Sequence, residues 1–255
     1  MNMVLVTKRS LIVFWICFIV WSISSSESKA ADPEPKRSDG SIFKRTFENQ
    51  KEVEGWEEHG NGAYSVKNGE LVFAQNDGDN AIDTPGHKVD KGDEYVLQAD
   101  FRITEKAKMK APFMIIGLLT DEGGSLAWRT NFRFFTDLGN QYTVGVQDPN
   151  QTEFASKLDK GKNYTVAIHL TPKHEAHYFL FSHDRDPGTF LGTINLPSNH
   201  SHIIRIGNVF GAGSGEQVID NVLLGNPTKA ILSVSWASKL STTWGDLKVR
   251  HIGMQ

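Results

Sequence analysis

From Tyr95 to Ile103 the chain alternates without a break. Tyr95, Leu97, Ala99, Phe101 and Ile103 fall on one side, and Gln98, Asp100 and Arg102 on the other. A repeat of two is the side-chain period of a pleated, half-buried strand, whereas a helix would scatter the same apolar residues around its axis. Tyr164 to Leu170 repeats the pattern, with Val166 and Ile168 inward and Thr165 and His169 outward. The turns agree with strands. Asn68-Gly69 lies between Tyr64-Ser65-Val66 and Leu71-Val72-Phe73, and Gly139-Asn140 lies between Phe132–Phe135 and Tyr142–Val146. Both pairs tolerate the positive φ that a tight hairpin needs. Asp90-Lys91-Gly92 precedes Tyr95 and Asp159-Lys160-Gly161 precedes Tyr164 at equal spacing, which marks two equivalent strands or one turn solution used twice. Phe113–Leu119 and Val218–Leu224 are nearly continuous apolar runs and suit central strands covered on both faces. Roughly a dozen short strands with polar turns predict a sandwich or a barrel.

The two ends differ from this body. Lys8 and Arg9 are followed by the apolar run Leu11–Ile23 and by Ser28-Lys29-Ala30, the layout of an export signal with a small-residue cleavage site. The apolar run is shorter than the ~20 residues of a membrane span, so residues 1–30 are expected to be removed; adding Met3–Val6 to the run is the case for an uncleaved anchor. Cys17, the only cysteine, sits inside that run behind Trp15 and Ile16, which is not a lipid-attachment context. The mature chain is then cysteine-free and relies on its core. Residues 31–40, with Pro33 and Pro35, read as a linker. The net charge of −3 and the lack of a basic block exclude a nucleic-acid binder, and leave the N-terminal segment as the only route to a membrane. In residues 226–255, Leu232, Trp236, Leu240, Trp244 and Leu247 form a helical stripe. It docks on the body or binds a partner.

Several short motifs carry a resemblance. Phe47-Glu48, Glu54-Gly55-Trp56 and Tyr64-Ser65-Val66-Lys67-Asn68-Gly69-Glu70-Leu71-Val72 resemble the opening of concanavalin A-like lectin/glucanase domains, and are similar to 3-keto-disaccharide hydrolase-like domains of exported bacterial proteins. Tyr95–Arg102 looks like the next strand of that pattern, and Ile206-Gly207-Asn208 with Ile219-Asp220-Asn221-Val222 like its closing strands. The resemblance covers residues 41–225 and implies a jelly roll, often with a sugar site on its concave sheet. The expected fold is therefore all-β, a two-sheet antiparallel jelly-roll sandwich with a short C-terminal helix packed on it.

The paired-acid triplet Glu-x-Asp-x-x-Glu of retaining glucanases of this fold is absent. Arg129, Asn131 and Arg133 form a polar row alternating with Trp128, Thr130, Phe132 and Phe134. Arginine forks and an amide suit sugar hydroxyls or carboxylates. Gln147, His169 and His177 could join this row, with Trp128 or Tyr142 as the stacking surface; the alternative is a solvated strand face balanced by Asp137 and Glu153. His169 and His177 could also meet across Pro172-Lys173 and take a metal with Asp184 or Asp186, but the spacing fits no zinc signature. Asp220, near the last strand, and Glu48, near the first, could hold a structural calcium of the kind that clips jelly rolls. In the alternative reading Asp220 caps a turn or pairs with a neighbouring backbone amide. No other cofactor is expected. Gly211-Ala212-Gly213-Ser214-Gly215 lacks the Lys-Ser/Thr of a phosphate loop, and no nucleophile elbow marks a serine hydrolase. Asn150-Gln151-Thr152, Asn163-Tyr164-Thr165 and Asn199-His200-Ser201 match glycan acceptor patterns. Three functions remain: an exported, non-catalytic carbohydrate-binding domain; a glycan-active hydrolase of the 3-keto-disaccharide type; and an interaction domain that works through Trp236 and Trp244.

Overall fold

A computed structural model describes residues 41–60, 64–74, 78–105, 113–122, 125–136, 142–147, 157–182, 185–198, 200–208 and 216–226. The expected N-terminal signal and linker, the Gly139-Asn140 turn, the 211–215 glycine run, Asp184 and the C-terminal stripe with its predicted helix lie outside the described residues. The strands are β1 (Ser41–Arg45), β2 (Glu57–Gly60), β3 (Tyr64–Lys67), β4 (Glu70–Phe73), β5 (Asn80–Asp83), β6 (Tyr95–Ile103), β7 (Phe113–Glu122) and β8 (Ser125–Thr136). They continue with β9 (Tyr142–Gln147), β10 (Lys157–Leu158), β11 (Asn163–Leu170), β12 (Glu175–Ser182), β13 (Arg185–Asn195), β14 (Ile203–Asn208) and β15 (Gln217–Gly225).

Two sheets result. The first has eight strands in the order β13-β12-β11-β6-β15-β4-β3, with β1 also on β15; the second has seven, β10-β9-β8-β7-β14-β5-β2. Neighbours run antiparallel throughout. β15 serves two partners on one edge because its register with β6 shifts between Asp220 and Leu223. Gln217–Ile219 pair with β4, and Val222–Gly225 pair with β1. Asn221, at φ 48°, is the residue that makes this bend; asparagine accepts the left-handed region better than its β-branched neighbours would.

The predicted alternation holds. Leu97, Ala99, Phe101, Val166, Ile168 and Tyr178 of the first sheet face Ile82, Ile116, Phe132, Ile204 and Ile206 of the second in a single buried cluster. The hydroxyls of Thr130 on β8 and Tyr178 on β12 touch across that interior, so each satisfies the other's buried polar atom. The Asn68-Gly69 hairpin is as expected: φ is 55° at Asn68 and 76° at Gly69, the paired positive values of a two-residue turn. The opening motif is also explained. The Glu52 carboxylate accepts the backbone N–H groups of Thr46, Phe47 and Glu48 at 3.2, 3.1 and 2.7 Å. That turns Phe47 inward, where its ring meets Trp56 edge-on at 6.3 Å. The open edges of the two sheets are tied by Tyr64 on β3, whose hydroxyl donates to Glu58 Oε1 on β2 at 2.7 Å. Burial, and then the Glu58 carboxylate, push the Tyr64 phenol up to about 12.

Candidate functional site

Register assembles one polar line across the second sheet. Glu57 on β2 pairs with Asp83 on β5, Asp83 with Arg205 on β14, Arg205 with Gly117 on β7, Gly117 with Asn131 on β8, and Asn131 with Gln147 on β9. Opposed residues in a sheet share a face. The next row, Ile82–Ile206–Ile116–Phe132, belongs to the core, so the polar line lies on the outer face.

One end of the line is an interlocked cluster. Arg205 donates from Nε to Asp83 Oδ1 at 2.5 Å and from Nη2 to Asp83 Oδ2 at 2.6 Å. His59 Nε2 lies 2.9 Å from Asp83 Oδ2 and 2.9 Å from Arg205 Nη2. A single ring nitrogen cannot serve both: it accepts from Arg205 when bare, and donates to Asp83 when protonated. The buried Asp83 side chain is thus enclosed by a guanidinium fork and an imidazole. Donor atoms of Glu57, His59 and Asp83 lie within 4.8 Å of one another, a spacing that suits a metal ion. The guanidinium already takes both Asp83 oxygens and sits against His59, so a divalent cation would have to displace it. The cluster is better matched to a neutral polar ligand than to a metal.

The middle of the line is different. Asn131 is 1% exposed and Arg133 8%, although both are on the face away from the core. Asn131 Oδ1 has no hydrogen-bond partner. Gly117 separates Asn131 from Arg205 by one strand without a side chain, leaving a gap of about 10 Å between the two flanking strands.

The structure revises the composition of the predicted site. The register of β7 and β8 slips between Leu118 and Leu119: Thr130 opposes Leu118, Trp128 opposes Leu119, and Arg129 is the extra residue. By backbone position Trp128 is thus in phase with Asn131 and Arg133 rather than opposite them. Tyr142 pairs with Thr136 in the register of β8 and β9. His169 and His177 are excluded. They lie on β11 and β12 of the first sheet, on its own outer face, with the whole sandwich between them and Asn131. Alternation fixes the side of a strand but not which sheet receives it.

His169 and His177 do meet, as expected: they are register partners, with rings 5.6 Å apart. His169 Nε2 lies 2.8 Å from Glu94 Oε1, and His177 Nε2 lies 3.4 Å from Glu175 Oε2. Among the described residues no third metal donor converges on them. Asp220 accepts the Asn221 backbone N–H at 2.7 Å and its side-chain amide at 3.0 Å within β15, a pairing with a neighbouring backbone amide. Burial pushes Asp220 up to about 6, offset by the Asn221 amide and reinforced by Asp100, Glu70 and Glu48. Glu48 therefore acts on Asp220 through its field, and no described metal-donor group includes the two.

A serine–histidine contact does occur, between Ser201 Oγ and His87 Nε2 at 3.0 Å. Ser201 donates its proton to the Leu119 carbonyl at 3.2 Å, so His87 must donate to Ser201 and cannot act as its base. Burial, followed by His202, pushes His87 down to about 3. This pair locks the Val89–Ser201 bridge and is structural.

Sequence reasoning missed Glu57, His59, Asp83 and Arg205. The available signal was a charged residue after or between apolar neighbours in Ala81-Ile82-Asp83 and Ile204-Arg205-Ile206. Their meeting depends on strand order over 122 residues of separation.

No family model matches the chain, and no curated protein matches it in sequence. Solved structures do. The chain is similar to a laminarinase from Flavobacterium sp. UMI-01 (TM-score 0.52, 14% identity, 73% of this chain and 100% of that one). It is similar to a conserved carbohydrate esterase of the Shiga toxin-encoding bacteriophage phi24B (TM-score 0.51, 13% identity, 73% and 98%). It is also similar to the calreticulin globular domain of T. cruzi (TM-score 0.50, 12% identity, 81% and 94%). At these identities the likeness is one of fold, an antiparallel two-sheet jelly roll.

Proposed function

We propose that this is an exported carbohydrate-binding protein whose ligand lies over Glu57, His59 and Arg205 on the outer face of the second sheet. The observation that carries this reading is the Arg205–Asp83–His59 cluster, in which Asp83 fixes the two more accessible groups, His59 at 25% and Arg205 at 11% exposure, beside the exposed Glu57. Fixed donors and acceptors of this kind suit a ligand that presents several hydroxyls. Sugars do so, and two proteins of this fold named above are a laminarinase and a carbohydrate esterase.

The role is binding rather than turnover. Asp83 is close enough to Glu57 to form a carboxylate pair. However, both Asp83 oxygens are held by Arg205, and one also by His59, so it cannot attack an anomeric carbon. A glycan array followed by calorimetry on the purified chain tests the proposal; no saturable binding to any poly- or oligosaccharide refutes it.

One observation favours a second reading. His59 is oriented by a buried carboxylate, as a general base is. A glycan-active enzyme, including one acting on 3-keto-glycosides, would then use His59. Turnover that is lost on His59→Ala while binding is kept would establish it.

A further inference from the structure

The approach to β14 carries two histidines one residue apart, and its backbone is pinned in an extended form. Val89 and Ser201 exchange backbone hydrogen bonds at 3.2 and 3.3 Å. The His202 N–H donates to the Leu119 carbonyl at 2.9 Å, and the His87 N–H donates to the His202 carbonyl at 2.7 Å. In extended backbone, residues two apart share a face. Ser201 therefore turns to His87, while His200 and His202 turn the other way together. Their ring centroids are 5.8 Å apart with the planes at 74°, and both residues are half-buried.

Each of the two rings is held by a hydroxyl at Nδ1. His202 Nδ1 lies 3.0 Å from Oγ1 of Thr120, a fully buried residue of β7. His200 Nδ1 lies 2.5 Å from Oγ of Ser198, which is 7% exposed. A neutral imidazole that donates from Nδ1 carries its lone pair on Nε2. A partner that fixes tautomer and ring orientation in this way is what a metal-binding histidine uses.

We propose that His200 and His202 chelate a divalent transition-metal ion through Nε2, with copper(II) bound most tightly. An ion ~2 Å from a ring nitrogen lies ~3 Å from that ring's centroid, so two rings on one ion have centroids at most ~6 Å apart. The 5.8 Å separation fits. Among the described residues no group of three His, Cys, Asp or Glu donors includes this pair, so water completes the shell. Copper(II) accepts a tetragonal mixture of imidazole nitrogen and oxygen, and it stands highest in the divalent affinity order. Thr120 and Ser198 are positioning residues. The site is separate from the Glu57–His59–Asp83 cluster, where Arg205 already occupies the place of an ion.

Titration of the full chain with copper(II), followed by electron paramagnetic resonance, tests this. The wild-type spectrum is expected to show two imidazole nitrogens on the ion, and His200→Ala and His202→Ala each to lose that signature. Thr120→Val is expected to weaken binding by about 10–100-fold, and His59→Ala to leave it unchanged. Should the alanine variants unfold, nuclear magnetic resonance of the wild-type chain gives the answer: the ring protons of His200 and His202 broaden first as copper(II) is added. A two-nitrogen spectrum that survives in folded His200→Ala or His202→Ala overturns the proposal. So does broadening led by His59, which moves the ion to the Glu57 cluster, or by His169 and His177.

Discussion

Arg205 holds Asp83 with both arms of its fork, at 2.5 and 2.6 Å, across two neighbouring strands of the seven-stranded sheet. The Asp83 side chain is 2% exposed and that of Arg205 11%. A carboxylate so placed depends on its partner, because desolvation of an isolated buried charge is far more costly than the pair itself is favourable.

Arg205→Ala is therefore expected to destabilise the protein by about 3 kcal/mol, since it strands the Asp83 charge. Adding Asp83→Ala should recover much of that loss. Urea denaturation of the single and double variants measures both changes; a double variant weaker than the sum of the singles contradicts the assignment.

Glu57→Ala separates binding from folding. Glu57 is exposed beside the cluster, so truncation should change the urea midpoint little. Affinity for the sugar should drop about tenfold, the loss of one ligand hydrogen bond worth ~1.4 kcal/mol.

Asp220 gives a pH signature. Burial raises it from 3.8 to about 6, so the folded state binds its proton more tightly than the unfolded chain does. The stability this group contributes is present below about pH 4 and is lost as pH rises through 6. Asp220→Asn should stabilise the protein at pH 8 by up to ~1 kcal/mol, the shift being discounted for a half-exposed site. At pH 4 it should have almost no effect. Melting curves at the two pH values decide the matter.

His87 acts with the opposite sign. Its folded value, about 3, lies below the ordinary 6.5, so its contribution is complete above pH 6.5 and is lost as pH falls toward 3. In an Asp220→Asn background, stability should decline below pH 6.5 by at most ~1.4 kcal/mol per pH unit from this one proton. His87→Gln should flatten that slope in urea titrations, because glutamine keeps a neutral donor for Ser201.

The strands were legible because their evidence is local. Tyr95–Ile103 and Tyr164–Leu170 each carry the period of two in their own residues, and Asn68-Gly69 carries its turn. Asn131 and Arg133 were legible as an outward polar pair for the same reason. Sheet membership was not, and it decided the site. His169 looked equivalent to Asn131, yet β11 joins β6 and β12 whereas β8 joins β7 and β9. The slip at Arg129 re-phased Trp128, and such a slip has no composition that announces it. Arg205 and Asp83 each look like an ordinary surface charge until β14 and β5 are neighbours.

Calorimetric titration with an oligosaccharide, comparing the full chain with Glu57→Ala and His177→Ala, tests the binding face most directly. The account predicts saturable binding that weakens about tenfold in Glu57→Ala and is unchanged in His177→Ala on the opposite sheet. Binding that ignores Glu57, or that disappears with His177, would contradict it.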